Sequence, residues 1–151
     1  MLEINLKKEL YKQCNSFVNK RLQTVEEIIS SNQKALQSET KSSAGDKYET
    51  SREMINQEIN QIGNQIQNVR TQQGLMTKLN FDEKKQTCLG AIFGTSKSIF
   101  CWSTSAGKVK FQDEVVMCIS SQSPFAQTCH DKNVGEKVGM ANMETEVLWV
   151  V

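Results

Sequence analysis

Two acidic residues stand three positions apart in the segment "KSSAGDKYETSREM", residues 41–54, within a long tract rich in Gln, Asn and Ile. If a helix begins after Gly45, Asp46 and Glu49 share one of its faces, because positions i and i+3 are neighbours on a helix. Two carboxylates are a hard oxygen pair, and Mg²⁺ accepts such ligands when phosphates and water complete its coordination. The segment could therefore deliver two metal ligands into the active site of another molecule.

The same two acids also have a purely structural explanation. Asp46 is a good N-cap, and Glu49 at the third helical position completes a pair that resembles a capping box. Acidic side chains in a first turn also suit the helix dipole. Capping and metal delivery are compatible because each carboxylate has spare lone pairs, so the sequence leaves both roles open.

Cationic and aromatic residues surround the two acids. Lys41, Lys47 and Arg52 are either ordinary solvated charges or contacts to RNA phosphates or to an acidic channel wall. Tyr48 is a large aromatic residue at a predicted turn, which folding alone explains poorly. It is a candidate for contact with a partner or a base, and these four residues form a set of candidate tip contacts.

Two heptad patterns predict that a pair of helices positions this segment. Apolar residues recur at alternating spacings of 4 and 3 on both sides of it, which is typical of a coiled coil. Each tract has one polar residue in its pattern. The predicted seam consists of Val18, Leu22, Val25, Ile29, Asn32 and Leu36 in the first tract, and of Ile55, Ile59, Ile62, Ile66, Val69, Gln73 and Met76 in the second.

An antiparallel pairing of the two tracts predicts where the chain turns. It places Leu36 opposite Ile55 and Leu22 opposite Val69, so the dyad of the hairpin falls between Gly45 and Asp46. The turn chemistry therefore sits where the two patterns require a turn. Arms of about 35 residues would make a hairpin roughly 50 Å long at 1.5 Å per residue, and the seam can be satisfied within one chain, so we expect a monomer.

The composition changes near residue 80 and predicts a second domain. Both tryptophans, the only proline and most phenylalanines follow that point. β-Branched and aromatic residues cluster in short runs that predict strands, namely "CLGAIFG", "SIFCWSTSAGKVKF", "EVVMCISS" and "METEVLWVV". The segment "SPFAQTCHDKNVGEKV" is too broken for a strand and could hold a short helix. We therefore predict two domains, residues 1–79 and 80–151.

Bulk composition excludes several classes of protein. A hydrophobic content of 38% and a mean hydropathy of −0.48 are low for a single compact globule, which favours an elongated part. A formal net charge of +1 excludes a polyanion-coating protein as the default interpretation. Charges interrupt the first ten residues, and no run approaches about 18 apolar residues, so neither a signal peptide nor a membrane helix is predicted. We expect a soluble, cytoplasmic protein.

The cysteines and the single histidine show no catalytic arrangement. The five cysteines are scattered without CxxC spacing, which predicts buried, reduced thiols. His130 has only Cys129 beside it and no triad context, so we interpret it as a surface loop residue. Trp102 and the phenylalanines are interpreted as core residues. The sequence therefore predicts that the protein is not itself an enzyme.

The tip and the C-terminal half resemble the Gre family of bacterial transcript-cleavage factors. The segment "GDKYET", residues 45–50, is similar to the family's tip motif G-D-L-x-E-N: Gly45, Asp46 and Glu49 match, whereas Lys47 replaces the leucine and Thr50 the asparagine. The segment "SSQSPFAQ", with the glycines of "VGEKVG" after it, is similar to the family's S-P-[I/L]-[A/G] segment and its downstream G-x-x-x-G-D-like turn.

This resemblance implies an α+β architecture and a role in transcription elongation. It implies an N-terminal antiparallel coiled-coil hairpin, with its tip at 41–49, followed by a small FKBP-like antiparallel sheet domain. Gre factors bind RNA polymerase at the rim of its secondary channel and insert the hairpin, and the tip acids assist a second Mg²⁺ that belongs to the polymerase. Backtracked RNA is then hydrolysed, so the nascent RNA 3′ end is an indirect partner.

The resemblance also implies roles for particular residues. Asp46 and Glu49 would assist the polymerase Mg²⁺, with no metal or other cofactor held stably by the isolated protein. Ser123, Pro124 and Phe125 would lie in the polymerase-docking loop. Three other functions stay open: a channel-binding regulator that does not stimulate cleavage, a coiled-coil adaptor whose acids are only caps, and a prolyl isomerase. The last has least support because an FKBP-like fold does not imply that activity.

Overall fold

The chain divides into two compact units. The computed structural model describes residues 2–41, 45–80 and 82–151, and it describes side chains for 5–38, 49–80 and 82–151. One unit, here called the hairpin unit, is Asn19–Gln73, and the other, the sheet unit, combines Met1–Val18 with Gly74–Val151. The sequence analysis placed the domain boundary at residue 79, where the composition changes. The compact units divide the chain differently, because residues 2–18 and 74–78 of the two long helices belong to the sheet unit.

Two long helices run antiparallel in the hairpin unit. Helix α1 is Leu2–Lys41 and helix α2 is Gly45–Lys78, and residues 42–44 between them lie outside the described residues. The amide of Gln73 donates to Oδ1 of Asn19 at 2.9 Å, and Arg70 lies 3.8 Å from the carboxylate of Glu26. As residue numbers increase along α1, the numbers of the contacting residues in α2 decrease. The predicted antiparallel hairpin is confirmed.

Burial within the hairpin unit follows the predicted heptads. Val25, Ile62 and Val69 are buried, whereas Ile28, which lies off the seam, is 41% exposed. The other aliphatic seam positions of this unit are half-buried: Leu22, Ile29, Leu36, Ile55, Ile59 and Ile66. A pair of helices buries only one stripe on each, so partial exposure along the seam is expected.

Asn32 is the polar residue of the first heptad pattern, and its amide is poorly satisfied. Its Nδ2 is buried and has no hydrogen-bond partner among the described residues. A buried donor without a partner costs about 1–3 kcal/mol. We expect Asn32→Leu to stabilise the hairpin by roughly 1 kcal/mol, measured as thermal loss of helical circular dichroism. Asn64→Leu, at an exposed position of α2, is the control, and equal shifts in both variants would contradict the assignment.

The sheet unit contains six strands and one short helix. Counted along the sheet, the strand order is β3-β4-β2-β1-β6-β5. The elements are β1 (Ile92–Thr95), β2 (Ile99–Trp102), β3 (Gly107–Phe111), β4 (Glu114–Ile119), α3 (Pro124–Thr128), β5 (Lys137–Val138) and β6 (Thr145–Val150). The α+β fold class is therefore confirmed, and each of the four runs predicted as strands overlaps at least one strand. The segment "SPFAQTCHDKNVGEKV" holds the predicted short helix, α3, but it also ends in the two-residue strand β5, which the sequence analysis did not predict.

The prediction of an antiparallel sheet needs one correction. Strands β2 and β4 are parallel neighbours, with Cys101 opposite Cys118, whereas the other pairs are antiparallel. The run "SIFCWSTSAGKVKF" forms two strands, and β3 pairs with the outer edge of β4. The chain therefore reverses twice between β2 and β4, which brings them side by side in the same direction.

Successive side chains along each strand point to opposite faces of the sheet, and both faces are buried. Ile92 and Cys101 belong to a cluster on one face, which also contains residues from the ends of α1 and α2. Phe93 and Trp102, the next residues along the same strands, belong to a cluster on the other face, next to α3. The first cluster contains Leu10, Tyr11, Cys14, Met76, Ile92, Cys101, Val109, Val116 and Cys118. The second contains Phe93, Trp102, Ile119, Ala126, Cys129, Val138 and Val147. The sheet thus lies between helix ends and α3.

Tyr11 anchors α1 to the sheet unit through one buried hydrogen bond. Its hydroxyl donates to the carbonyl of Gly90 at 2.6 Å, and the residue is 5% exposed. Burial, as the main cause, raises the pKa of Tyr11 above its usual value of 10.0. The protonated phenol is therefore favoured in the folded state, and the stability that it contributes is present below pH 10 and is lost as the pH rises above it.

We expect Tyr11→Phe to reduce the free energy of unfolding by about 1–2 kcal/mol at pH 7, because the Gly90 carbonyl loses its donor. Above pH 10 the difference from wild type should narrow, since only wild type then loses the contribution of Tyr11. Denaturant unfolding at pH 7 and pH 11, followed by tryptophan fluorescence, measures both effects. An unchanged difference at the two pH values would contradict the burial of this phenol.

No helix in the described part of the chain combines the length and the apolarity that crossing a membrane requires.

Candidate functional site

The two candidate metal ligands lie in the first turns of α2. The helix begins at Gly45, one residue before the N-cap that the sequence predicts, so Asp46 and Glu49 are helical positions three apart. Such positions share a helical face. The side chain of Glu49 is exposed, whereas that of Asp46 lies outside the described residues.

The position of the acids in the hairpin unit follows from helix length. The segment of α1 between Asn19 and Lys41 is about 33 Å long at 1.5 Å per residue, and the contact between Asn19 and Gln73 closes the opposite end of this unit. The helix N-terminus also favours negative charge. The acids therefore stand at the end of a narrow two-helix arm.

Two carboxylates are too few to hold Mg²⁺ alone, because the ion demands six oxygen ligands. Within the described residues, no three side chains of His, Cys, Asp or Glu are arranged to hold a metal ion. Hard carboxylate oxygens nevertheless have the right chemistry for Mg²⁺. The tip can therefore contribute ligands to a site that another molecule completes.

The other candidate tip contacts are described only in part. The side chains of Lys41, Lys47 and Tyr48 lie outside the described residues, and Arg52 is exposed. Met54 is a further exposed side chain near this end, 66% accessible. The sequence analysis did not select Met54. Its position outside the heptad pattern would have indicated an exposed apolar side chain. Met54 adds an apolar contact surface to the charged end of the arm.

The predicted docking residues form the start of α3. The Oγ of Ser123 accepts a hydrogen bond from the backbone N–H of Ala126 at 3.1 Å, so Ser123 is the N-cap, and Pro124 occupies the first helical turn. Phe125 stacks on Phe100 with ring centroids 4.6 Å apart. Ser123 and Phe125 thus have structural partners, and Pro124 is the member whose side chain is exposed.

The glycines that follow this segment in the sequence also meet it in space. Gly135 and Gly139 have φ values of +91° and +110°, which L-residues with a side chain rarely adopt. The N–H of Gly139 donates to Oγ1 of Thr128, the last residue of α3, at 2.8 Å. The two parts of the C-terminal pattern are therefore one local structure, a capped turn of helix tied to a glycine turn.

The predictions for the histidine and Trp102 are confirmed, whereas Phe17 is 38% exposed and is not a core residue. His130 is exposed, with its Nδ1 2.9 Å from the carboxylate of Asp131. Its ring meets Trp102 edge-on at 6.0 Å between centroids, and Trp102 is 3% exposed in the core.

The cysteines are free thiols, as predicted. Cys14, Cys101, Cys118 and Cys129 are buried and Cys88 is half-buried. The sequence did not predict that the first three would gather in one place.

Similar proteins occur among solved structures, whereas no protein-family model and no curated protein matches the chain. The crystal structure of GreA factor homolog 1 (Gfh1) protein of Thermus thermophilus is similar at 17% identity, with a TM-score of 0.37, over 91% of this chain and 94% of that one. A structure of the transcription factor Gfh1 is similar at 18% identity, with a TM-score of 0.38, over 92% and 94%.

Proposed function

We propose that this protein is an RNA polymerase-binding elongation factor that stimulates cleavage of backtracked RNA. The observation that carries the proposal is the placement of Asp46 and Glu49 three apart at the start of α2, at one end of an antiparallel helical arm. The likeness of "GDKYET" to the Gre tip motif supports it. The hydrolytic reaction itself belongs to the polymerase, and this chain acts as an accessory factor.

The arm matches this task in its dimensions and chemistry. A pair of helices is about as narrow as a folded structure with a buried seam can be, so it suits insertion into a channel. A second Mg²⁺ stabilises charge on the attacking and leaving oxygens of phosphodiester hydrolysis. Asp46 and Glu49 would contribute carboxylate oxygens to that ion and would help to orient the attacking water.

Docking on the polymerase is assigned to the start of α3. Ser123 and Phe125 already contact other residues of the sheet unit. Pro124, which is exposed, is therefore the residue of this loop that we propose to contact the polymerase directly. Lys41, Lys47, Tyr48 and Arg52 are proposed as contacts of the tip with the channel wall or RNA. The nascent RNA 3′ end is reached only through the polymerase active site.

The test is a transcript-cleavage assay on a backtracked elongation complex of the cognate polymerase in Mg²⁺. We expect the protein to bind the complex and to release short fragments from the RNA 3′ end, which lets elongation resume. Binding without shortening of the RNA would overturn the cleavage function and indicate a channel-binding regulator. In that case Lys47 and Thr50, which replace the leucine and asparagine of the Gre tip motif, would be the first residues to examine. No binding would overturn the whole proposal in favour of an adaptor.

A further inference from the structure

Three buried thiols meet in the sheet unit. Cys14 comes from α1, Cys101 from β2 and Cys118 from β4, and they are 0%, 0% and 5% exposed. The Sγ atoms of Cys14 and Cys118 are 3.3 Å apart, although 104 positions separate them in the chain. Cys101 and Cys118 are directly paired in the parallel β2–β4 ladder, so their side chains project from the same face.

Hydrogen-bond donors converge on the sulfur of Cys14. The hydroxyl of Ser103 donates to Sγ of Cys14 at 3.4 Å, and the same oxygen is 3.6 Å from Sγ of Cys101. Hydrogen bonds from Cys101, and then from Cys118 and Ser103, lower the pKa of Cys14, and burial opposes them. Hydrogen bonds to Cys101 and Cys14, together with burial, raise the pKa of Cys118. The hydroxyl donor and the directions of the two pKa shifts thus favour Cys14 over Cys118 as the sulfur that carries a negative charge.

We propose that Cys14 and Cys118 form a dithiol oxidation site, at which hydrogen peroxide or a comparably small hydroperoxide produces a disulfide between α1 and β4. This proposal is independent of the proposed function. It rests on the closeness of the two sulfurs and on the hydroxyl and thiol donors around Cys14.

The oxidation is a two-electron reaction in two steps. The thiolate of Cys14 attacks one peroxide oxygen, the O–O bond breaks, and the other oxygen leaves as hydroxide, which takes up a proton to become water. The resulting sulfenic acid is attacked by the sulfur of Cys118, the S–O bond breaks, and the Cys118 proton leaves with the hydroxyl group as a second water. The two sulfurs lose two electrons, and the peroxide gains them.

A disulfide here would tie the N-terminal part of α1 to the centre of the sheet unit. The sulfurs must approach from 3.3 Å to the bonded distance of about 2.05 Å, which side-chain rotation can supply in part. A cross-link between residues far apart in sequence restricts the unfolded chain strongly. We therefore expect the oxidised protein to unfold at a temperature about 5–10 °C higher.

The experiment uses the full chain with Cys88→Ser and Cys129→Ser, which leaves only the three clustered thiols. The folded protein is treated with hydrogen peroxide, the excess is removed with catalase, and free thiols are counted by alkylation. We expect the count to fall from three to one, with Cys14 and Cys118 recovered in one linked peptide after digestion. Tryptophan fluorescence should show the higher unfolding temperature, and dithiothreitol should reverse it.

Two controls separate native pairing from accidental oxidation. Adding Cys118→Ser should abolish the rise in unfolding temperature on oxidation. If the variant with Cys88→Ser and Cys129→Ser folds poorly, the unmodified wild-type chain should give the same peptide that links Cys14 and Cys118. Treatment in urea shows which pairs form in the unfolded chain. A thiol count that stays at three, a dominant link between Cys14 and Cys101, or a Cys14–Cys118 link that forms only in urea would each overturn the proposal.

Discussion

Replacing Glu49 with glutamine should reduce stimulated RNA cleavage on the order of 100-fold while leaving polymerase binding within a few-fold of wild type. The substitution keeps the size of the side chain and removes its charge. A bound metal ion contributes several kcal/mol to the stability of a hydrolytic transition state, and each 1.36 kcal/mol corresponds to a factor of ten in rate. Asp46→Asn should have the same effect, because in the proposed function the two carboxylates act on one ion.

The matched control is Glu58→Gln, which makes the same change of charge at another exposed glutamate of α2, farther from the tip. It should leave cleavage unchanged. Cleavage rates are measured on one backtracked complex at saturating protein, and binding is measured separately by competition with labelled wild-type protein. If Glu49→Gln and Glu58→Gln lose cleavage equally, the acids act through the overall charge of the arm and not as metal ligands.

A second large effect is expected at Gly139 in the sheet unit. A Cβ at this position would lie 2.7 Å from the backbone oxygen of Met143, and the φ of +110° is itself unfavourable for alanine. Backbone at Met143 or at Gly139 has to shift to relieve the overlap, and a shift of Gly139 would strain its hydrogen bond to Thr128. We expect Gly139→Ala to lower the free energy of unfolding by about 3 kcal/mol.

Gly135→Ala isolates the conformational part of that cost. Gly135 has a φ of +91°, and a Cβ there would meet nothing within 4 Å among the described residues. Its substitution should therefore cost only about 1–2 kcal/mol. Both tryptophans belong to the sheet unit, so denaturant unfolding followed by fluorescence reports on the unit that contains the change. Equal losses in the two variants would contradict the steric contribution at Gly139.

The hairpin was predictable because its signal is local and periodic. A residue every 3.5 positions must face the partner helix, so the spacing from Val18 to Leu36 and from Ile55 to Met76 predicts both the helices and their buried stripe. The position of the turn follows from matching the two stripes. The acids at the start of α2 were predictable for the same reason, because the turn and the helical spacing place them without any knowledge of distant contacts.

Strands were predictable from composition, but their arrangement was not. Clusters of β-branched and aromatic residues identify the strand-forming runs, whereas nothing in the run "SIFCWSTSAGKVKF" indicates that its second half pairs with the outer edge of β4. The parallel β2–β4 pair places β4 on the edge of β2 that β1 leaves free. Pairing between strands is a choice among several similar partners, which composition does not distinguish.

By itself, the amino-acid sequence determined the two helices, the acids at the start of the second and the strand-forming segments, because each depends on residues within a few turns of one another. Only the tertiary structure decided that the thiols of Cys14 and Cys118 would meet and that Lys7, 2% exposed, would bury its amine against the backbone oxygen of Asp82 at 2.6 Å. These contacts join residues far apart in the chain, so they depend on how the helix ends pack on the sheet.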